Sequence, residues 1–159
     1  MPLEIEHKYL IRKDLWYAVH KPSGIKIRQG YLLSDPGRTI RIRISGTNGS
    51  LAIKGPSRNA TRAEYEYPIP VNEAEELLQL CTTPILEKIR YRLEFEGKTW
   101  EVDEFFGENE GLIVAEIELS FTEETYVRPP WVGDEITNNP RYYNSNLASD
   151  PVSKWKYPL

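Results

Sequence analysis

A strict alternation of charged and apolar side chains in short segments is the feature that most constrains this chain. In residues 39–45, Arg41 and Arg43 alternate with Ile40, Ile42 and Ile44. Because successive side chains of a β-strand point to opposite faces, this pattern predicts a strand with one charged and one apolar face. The charged positions of the other segments with this alternation are Glu4, Glu6 and Lys8; Lys54; Glu64 and Glu66; Lys88, Arg90 and Arg92; Glu101 and Asp103; and Glu116 and Glu118.

Turn residues separate these segments and divide the chain into short strands. Ser34-Asp35-Pro36-Gly37 and Glu96-Gly97-Lys98 are typical turn sequences. The predicted strands cover residues 3–11, 25–33, 39–45, 50–54, 62–69, 86–95, 98–105 and 112–121. Apolar residues at helical spacing predict a helix over 71–81, with Asn72 as its N-cap. Short helical pieces are expected near 122–127 and 143–148. The predicted fold class is mainly β (α+β): an eight-stranded antiparallel β-barrel with a few covering helices, since closure removes exposed strand edges.

Composition excludes several classes of protein. The chain has 159 residues, which suits one domain over 1–159, and no apolar run approaches the length needed to span a bilayer. Cys81 is the single cysteine, so an internal disulfide is impossible, and two histidines are too few to build a zinc site with it. We therefore expect a cytoplasmic protein without a signal peptide or membrane contact. The net charge of −4 argues against bulk binding of nucleic acid.

The charges of the alternating segments are sorted by sign from strand to strand. A sheet with one wet face would show alternation without any function. Here, however, the polar face is almost purely charged. A barrel closed with that face inward would therefore enclose a charged tunnel. Its apolar face, which includes Tyr65, Tyr67 and Tyr91, would lie outside, under the helix and the tail. Clustered carboxylates require cations, and oxygen ligands suit Mg²⁺ or Mn²⁺. Inward Lys and Arg residues suit a polyanion such as a phosphate chain.

The charged motifs resemble those of one known family. Glu4-x-Glu6-x-Lys8 is followed in order by Gln29-Gly30-Tyr31, Arg41-x-Arg43, Ile53-Lys54-Gly55, Glu64-x-Glu66, Lys88-x-Arg90, Asp103, Glu116-x-Glu118 and Pro140-Arg141-Tyr142-Tyr143-Asn144. This order resembles the CYTH superfamily, the triphosphate tunnel metalloenzymes, and in particular its short bacterial members. The resemblance covers nearly the whole chain.

The resemblance implies an eight-stranded tunnel that binds a triphosphate with a divalent metal, Mg²⁺ or Mn²⁺. The residues it assigns to catalysis are Glu4, Glu6, Lys8 and Lys88. The residues it assigns to substrate binding are Lys8, Tyr31, Arg41, Arg43, Lys54, Lys88 and Arg90. The residues it assigns to metal are Glu4, Glu6, Glu64, Glu66, Asp103, Glu116 and Glu118. Arg92 has the same parity but is not assigned to ligand binding.

Several functions share this fold, so the substrate stays open at this point. We expect a metal-dependent hydrolase of inorganic triphosphate, since no aromatic residue set on the tunnel parity suits a base or thiazolium ring. An adenylate cyclase of the class IV type and a thiamine or nucleoside triphosphatase are the enzymatic alternatives. A non-catalytic binder of polyphosphate or nucleotide is the alternative of another class. The protein is expected to be a monomer or a homodimer.

Overall fold

The computed structural model describes residues 1–156 and consists mainly of β-strands. The strands are β1 (Leu3–Ile11), β2 (Ile25–Asp35), β3 (Arg38–Ser45), β4 (Asn48–Lys54), β5 (Thr61–Ile69), β6 (Leu86–Phe95), β7 (Lys98–Phe105), β8 (Ile113–Glu118) and β9 (Val132–Glu135). The α-helices are α1 (Lys13–Trp16), α2 (Val71–Leu78) and α3 (Asn144–Ser149), and single 3₁₀ turns occupy Gly107–Asn109, Pro140–Tyr142 and Val152–Lys154. None of the helices in this described part is long and apolar enough to cross a membrane.

Strands β1–β8 form one closed antiparallel barrel. The strand order is β5-β4-β3-β2-β6-β7-β8-β1, and pairing of β1 with β5 closes it. Strand β1 pairs with β5 through Leu3–Ile5 and with β8 through Glu6–Leu10. The predicted eight-stranded barrel is confirmed. Strand β9, which pairs with the end of β1, was not predicted because its four residues show no alternation.

The helices correct the sequence-based prediction in three places. Helix α2 ends at Leu78 rather than 81, and Pro70 rather than Asn72 occupies its N-cap, so the predicted Asn72 cap is wrong. Helix α3 confirms the helical piece predicted near 143–148. The helical piece predicted near 122–127 is wrong, because this segment forms a turn and then an irregular run. The Glu124 side chain accepts a hydrogen bond from the Ser120 backbone, which closes that turn.

The main apolar core lies outside the barrel, on the face opposite to the charges. Trp100 is fully buried, and its ring meets the rings of Tyr9 and Trp131 with centroids 5.8 and 6.0 Å apart. Helix α1 adds Trp16, whose ring contacts Tyr91. The segment around Trp131 and helix α1 therefore cover β1, β7 and β8, as a barrel with an outward apolar face requires.

The cover does not extend over the tyrosines of β5. Helix α2 packs its Ala74 and Leu78 against Ile42 and Ile44, in a smaller cluster beside these strands. Tyr65 and Tyr67 remain 37% and 53% exposed. The prediction that these two tyrosines lie under a cover is wrong, because α2 is only eight residues long and packs beside Ile42 and Ile44 rather than over the tyrosines.

One end of the barrel interior is apolar rather than charged. Leu86, Phe105 and Val114 share strand parity with Lys88, Asp103 and Glu116, and therefore also point inward. They pack against Leu147, Val152 and Trp155 of the tail. We call this cluster the apolar floor: Tyr31, Leu86, Phe105, Leu112, Val114, Ile136, Leu147, Ala148, Val152 and Trp155. The charged interior is thus a cup closed at one end.

Candidate active site

The barrel encloses a cavity of about 240 Å³ above the apolar floor. Its walls are almost entirely polar and carry seven basic and seven acidic residues. The basic residues are Lys8, Arg41, Arg43, Lys54, Arg62, Lys88 and Arg90. The acidic residues are Glu4, Glu6, Glu64, Glu66, Glu101, Glu116 and Glu118. Tyr31, Thr39, Tyr143, Asn144 and Ser145 complete the wall.

The structure brings together every residue that the sequence assigned to the site except Asp103, which lies buried behind the wall. Arg92 is excluded from the cavity, since 64% of its side chain is exposed at the outer end of β6. Arg62 and Thr39 were missed, although their parity with Glu64 and Arg41 could have revealed them. Tyr143, Asn144 and Ser145 carry no periodic signal and reach the cavity only through the fold of the tail.

On one wall, pairing of β4 with β5 places basic side chains beside acidic ones. Lys54 Nζ lies 3.0 Å from a carboxylate oxygen of Glu4 and 3.0 Å from one of Glu64. Arg41 Nη2 donates a 2.7 Å hydrogen bond to Glu66. Arg41 is only 6% exposed, and its buried Nε has no hydrogen-bond partner among residues 1–156. A buried guanidinium N–H without an acceptor is costly, so this atom is suited to a ligand oxygen.

On the adjoining wall, β1 and β8 bring carboxylates close to one another. The register pairs Glu6 with Glu118 and Lys8 with Glu116. Burial and the charge of Glu116 raise the pKa of Glu6 to about 8. Burial also acts against ionisation of Glu116, but Lys8 and Arg90 prevail and lower its pKa to about 2. Glu118 forms no ion pair within the described chain, and burial and neighbouring carboxylates raise its pKa. This wall therefore carries more negative charge than its cations offset.

Asp103 joins two cations at the bottom of the cavity. It accepts two hydrogen bonds from Arg90, of 2.7 and 2.9 Å, and lies 2.8 Å from Lys88 Nζ. Asp103 and Lys88 are each 1% exposed. Burial opposes the charge on Asp103, yet Arg90 and Lys88 outweigh it and hold the pKa of Asp103 well below its ordinary value. Burial lowers the pKa of Lys88 to about 7 even though Asp103 acts to raise it.

The tail lies over Lys8 and Lys88. The Tyr143 ring centre lies 5.6 Å from Lys8 Nζ, and the Asn144 side-chain oxygen accepts a 2.8 Å hydrogen bond from Lys88 Nζ. Helix α3 then continues into the apolar floor. The tail is therefore part of the cavity wall as well as the cover of the barrel.

The acidic wall fits a divalent cation that is shared with a ligand. No group of three or more His, Cys, Asp or Glu side chains within residues 1–156 is arranged to enclose a metal ion by itself. Mg²⁺ keeps several waters and binds through one or two carboxylates together with phosphate oxygens. The raised pKa of Glu6, which is buried near the carboxylate of Glu116, shows that this wall would be stabilised by an added positive charge. The residues present therefore fit such an ion.

The charge balance of the cavity indicates its chemistry. The cavity wall carries as many acidic as basic residues, so a phosphate chain would bring excess negative charge. A divalent cation on the acidic wall would offset that excess, while Arg and Lys side chains bind the remaining oxygens. Carboxylates for metal beside clustered basic residues are the components of phosphoryl transfer.

Comparisons with known proteins agree with this geometry. The sequence matches the CYTH domain over residues 2–150. It is 47% identical over 157 residues to an inorganic triphosphatase of Acetivibrio thermocellus, covering 98% of this chain and 99% of that protein. It is 32% identical over 149 residues to an inorganic triphosphatase of Nitrosomonas europaea, covering 91% and 96%.

Solved structures support the same assignment. The crystal structure of the inorganic triphosphatase NE1496 superposes with a TM-score of 0.64 at 30% identity, covering 91% of this chain and 97% of that one. A putative adenylyl cyclase from Hippeastrum, HpAC1, has a TM-score of 0.59 over 77% of this chain and 81% of its own, but at 14% identity this shows the fold alone. From its sequence match, its barrel and its charged interior, the chain belongs to the CYTH domain family.

Proposed function

We propose that this protein is a divalent-metal-dependent hydrolase that releases phosphate from inorganic triphosphate. The observation that carries the proposal is the enclosed cavity with equal numbers of cations and carboxylates, sorted onto different strands. Two relatives with 47% and 32% sequence identity are both inorganic triphosphatases, which supports inorganic triphosphate as the substrate. The cavity walls also support this substrate. They are almost entirely polar and offer no extended apolar surface for a base or a thiazolium ring.

The basic residues bind the phosphate chain in this proposal. Arg41 offers its unpartnered Nε, and Lys54 closes the same wall. Arg43, Lys88 and Arg90 bind from the bottom of the cup. They stabilise the charge that develops on the phosphoryl oxygens as the terminal anhydride bond breaks. Lys8 lies on the acidic wall, where it contacts both Glu6 and Glu116. Tyr31 lines the cavity and offers its hydroxyl to the phosphate chain.

The acidic residues hold the metal, Mg²⁺ or Mn²⁺. The proposed ligands are drawn from the cavity carboxylates Glu4, Glu6, Glu64, Glu66, Glu116 and Glu118. When bound, the ion supplies Lewis-acid stabilisation of phosphate charge and activates water. Glu4 and Glu6 would hold the metal near Lys8, so β1 supplies both metal ligands and a catalytic cation. Asp103 was grouped with these ligands on its parity; we propose that it acts instead on Lys88 and Arg90, which occupy its oxygens.

The oligomeric state is a separate proposal. We propose a monomer or a homodimer. Light scattering of the purified protein gives the mass directly, and a larger assembly would contradict this proposal.

The test of function is phosphate release from inorganic triphosphate, ATP and thiamine triphosphate, with Mg²⁺, with Mn²⁺ and with chelator. We expect fast release from inorganic triphosphate that stops with chelator. Arg41→Ala should lower kcat/KM by at least about 100-fold, because it removes a buried charged contact to the ligand. Arg92→Ala is the matched control, since it removes an arginine of a charged strand that does not reach the cavity.

A second pair of variants tests the acidic wall. Glu4→Gln should raise the Mg²⁺ concentration needed for half-maximal rate, whereas Glu94→Gln at the exposed end of β6 should not. Release of pyrophosphate and cyclic AMP from ATP would move the assignment to a cyclase. Triphosphate binding without turnover of any substrate would contradict the enzyme assignment and leave a binding protein.

A further inference from the structure

Gln29 is a neutral, fully buried residue among the charges of the cup. It lies on β2, with 0% of its surface exposed. Its side-chain oxygen accepts hydrogen bonds from Arg43 Nε at 3.1 Å and from Arg43 Nη2 at 2.9 Å. Its side-chain nitrogen donates to Tyr31 Oη and to Asn144 Oδ1, each at 3.1 Å. Both acceptor and both donor capacities of the amide are therefore used.

This set of bonds determines which way the Gln29 amide points. If the amide were rotated by half a turn, its NH₂ group would face the N–H groups of Arg43, and donors would oppose donors. Arg43 therefore holds the side-chain oxygen of Gln29 toward itself, and the side-chain nitrogen of Gln29 points toward Asn144. A buried network in which each member is satisfied holds one arrangement rigidly.

The same network reaches Lys88 through the tail. Asn144 Oδ1 accepts both from Gln29 Nε2 and from Lys88 Nζ. An ammonium group has three N–H donors, of which Asp103 and Asn144 take two. One N–H of Lys88 is left for the cavity that this side chain lines.

We propose that Gln29 is a positioning residue that orients Arg43 directly and Lys88 through Asn144, so that both cations present their remaining N–H groups to the phosphate chain. The role rests on the proposed function in one respect: the ligand of the cup is taken to be triphosphate. Gln29 itself does not line the cavity and makes no contact with the ligand.

The chain offers a matched control in Asn109. This residue is also a buried amide, 3% exposed, and it also holds the tail, by donating to the Leu147 carbonyl and accepting from the Val152 N–H. It touches no cation of the cup. Loss of Asn109 therefore weakens tail anchoring alone, whereas loss of Gln29 also releases Arg43 and Lys88.

The experiment compares Gln29→Met, Asn144→Ala and Asn109→Ala for kcat/KM, for Tm and for triphosphate affinity in chelator by calorimetry. Displacement of a binding group by about 1 Å costs up to about 100-fold in rate. We expect Gln29→Met to lower kcat/KM by about 10- to 100-fold and to weaken metal-free triphosphate binding. Asn109→Ala should lower Tm but leave kcat/KM within about twofold.

Non-additivity separates positioning from general destabilisation. If Gln29 acts on Lys88 through Asn144, then Asn144→Ala should cost less in the Gln29→Met background than in wild type. Should Gln29→Met fail to fold, Gln29→Glu preserves the size and the acceptor for Arg43 while removing the donor to Asn144. Two results would overturn the proposal. One is that the losses of kcat/KM in Gln29→Met and Asn144→Ala multiply independently in the double variant. The other is that Gln29→Met and Asn109→Ala lose equal amounts of kcat/KM.

The outcomes also separate this inference from the proposed function. If wild-type protein shows no turnover but Gln29→Met still weakens triphosphate binding, positioning stands and the enzymatic assignment does not. If wild-type protein hydrolyses triphosphate and Gln29→Met stays within twofold of it in rate and affinity, the assignment stands and positioning does not.

Discussion

Replacing Asp103 with asparagine should destabilise the protein strongly while leaving its shape unchanged. The carboxylate is 1% exposed and receives three short contacts from cations: two from Arg90 and one from Lys88. Asparagine has the same size but no charge, and its NH₂ group would face N–H donors of these cations. Buried Lys88 and half-buried Arg90 would then lose their shared counter-charge, and Arg90 would keep only its longer contacts with Glu101 and Glu116.

The size of the effect follows from burial and from which cation can respond. Removing one partner of a buried ion pair typically costs about 3–5 kcal/mol. Lys88 can relieve part of this by losing its proton, because burial already lowers its pKa to about 7, whereas Arg90 cannot. We therefore expect a loss of about 3 kcal/mol in the free energy of unfolding at pH 7. For a chain of this length, that corresponds to roughly 6–12 °C in Tm.

The measurement is urea unfolding of metal-free protein, with Asp134→Asn as control. Asp134 is an exposed aspartate of β9, so its substitution should change stability by less than about 0.5 kcal/mol. The difference between wild type and Asp103→Asn should also depend on pH. The pKa of Asp103 is lowered on folding, so its stabilisation is present above the ordinary value of 3.8 and is lost as pH falls below it.

Triphosphate added with chelator should stabilise Asp103→Asn more than wild type, because the anion supplies the missing negative charge. Mg²⁺ affinity should stay within about threefold of wild type. A loss of less than about 1 kcal/mol would refute the view of Asp103 as the shared counter-charge of Lys88 and Arg90. A large loss of Mg²⁺ affinity would instead return Asp103 to the metal ligands.

Other predictions concern protons, packing and backbone. Burial and Glu116 raise the pKa of Glu6 to about 8, so Mg²⁺ binding at pH 7 should release close to one proton; calorimetry in two buffers of different ionisation enthalpy measures this, and equal heats would contradict it. The folded state retains that proton between about pH 4.5 and 8 while the unfolded chain does not, so metal-free protein should lose stability as pH rises through this range, and Glu6→Gln should flatten the dependence. Trp100→Ala should cost about 3–5 kcal/mol by urea unfolding, whereas Trp100→Phe should cost less than half of that, because the buried indole N–H has no hydrogen-bond partner among residues 1–156 that the substitution would remove. A Cβ at Gly30 would lie 2.7 Å from Cys81 Sγ, so Gly30→Ala should cost about 1–3 kcal/mol, and added Cys81→Ala should recover part of it unless the clash is relieved by backbone movement.

Strand parity alone was enough to predict the barrel and most of its inner wall. Alternation by itself also occurs in a sheet with one wet face, but here the polar face was almost purely charged and its charges were sorted by sign from strand to strand. The same rule, applied without exception, would also have found Arg62 and Thr39, which share faces with Glu64 and Arg41 and line the cavity.

Parity reports which face a side chain occupies but not how deep it lies or what meets it there. Leu86 and Lys88 share a face of β6, yet one belongs to the apolar floor and the other to the cup. Asn144 reaches Lys88 through tertiary folding of a tail without periodicity, which no local pattern reveals. Asp103 was correctly predicted to be internal, but its two cations became visible only from the register of β6 with β7.

The pairing of β1 has a consequence for how the protein is made. Its residues contact β5, β8 and β9, and Lys8 meets Glu116 more than a hundred residues later in the chain. During synthesis, the first strand must therefore wait on the ribosome until nearly all other strands have emerged. Such non-local contacts are associated with folding in milliseconds to seconds rather than microseconds. Glu4 can meet Lys54 early in synthesis, but Lys8 reaches Glu116 only in that last step. A partly made chain therefore has an incomplete site, and hydrolysis begins only once the whole barrel has closed.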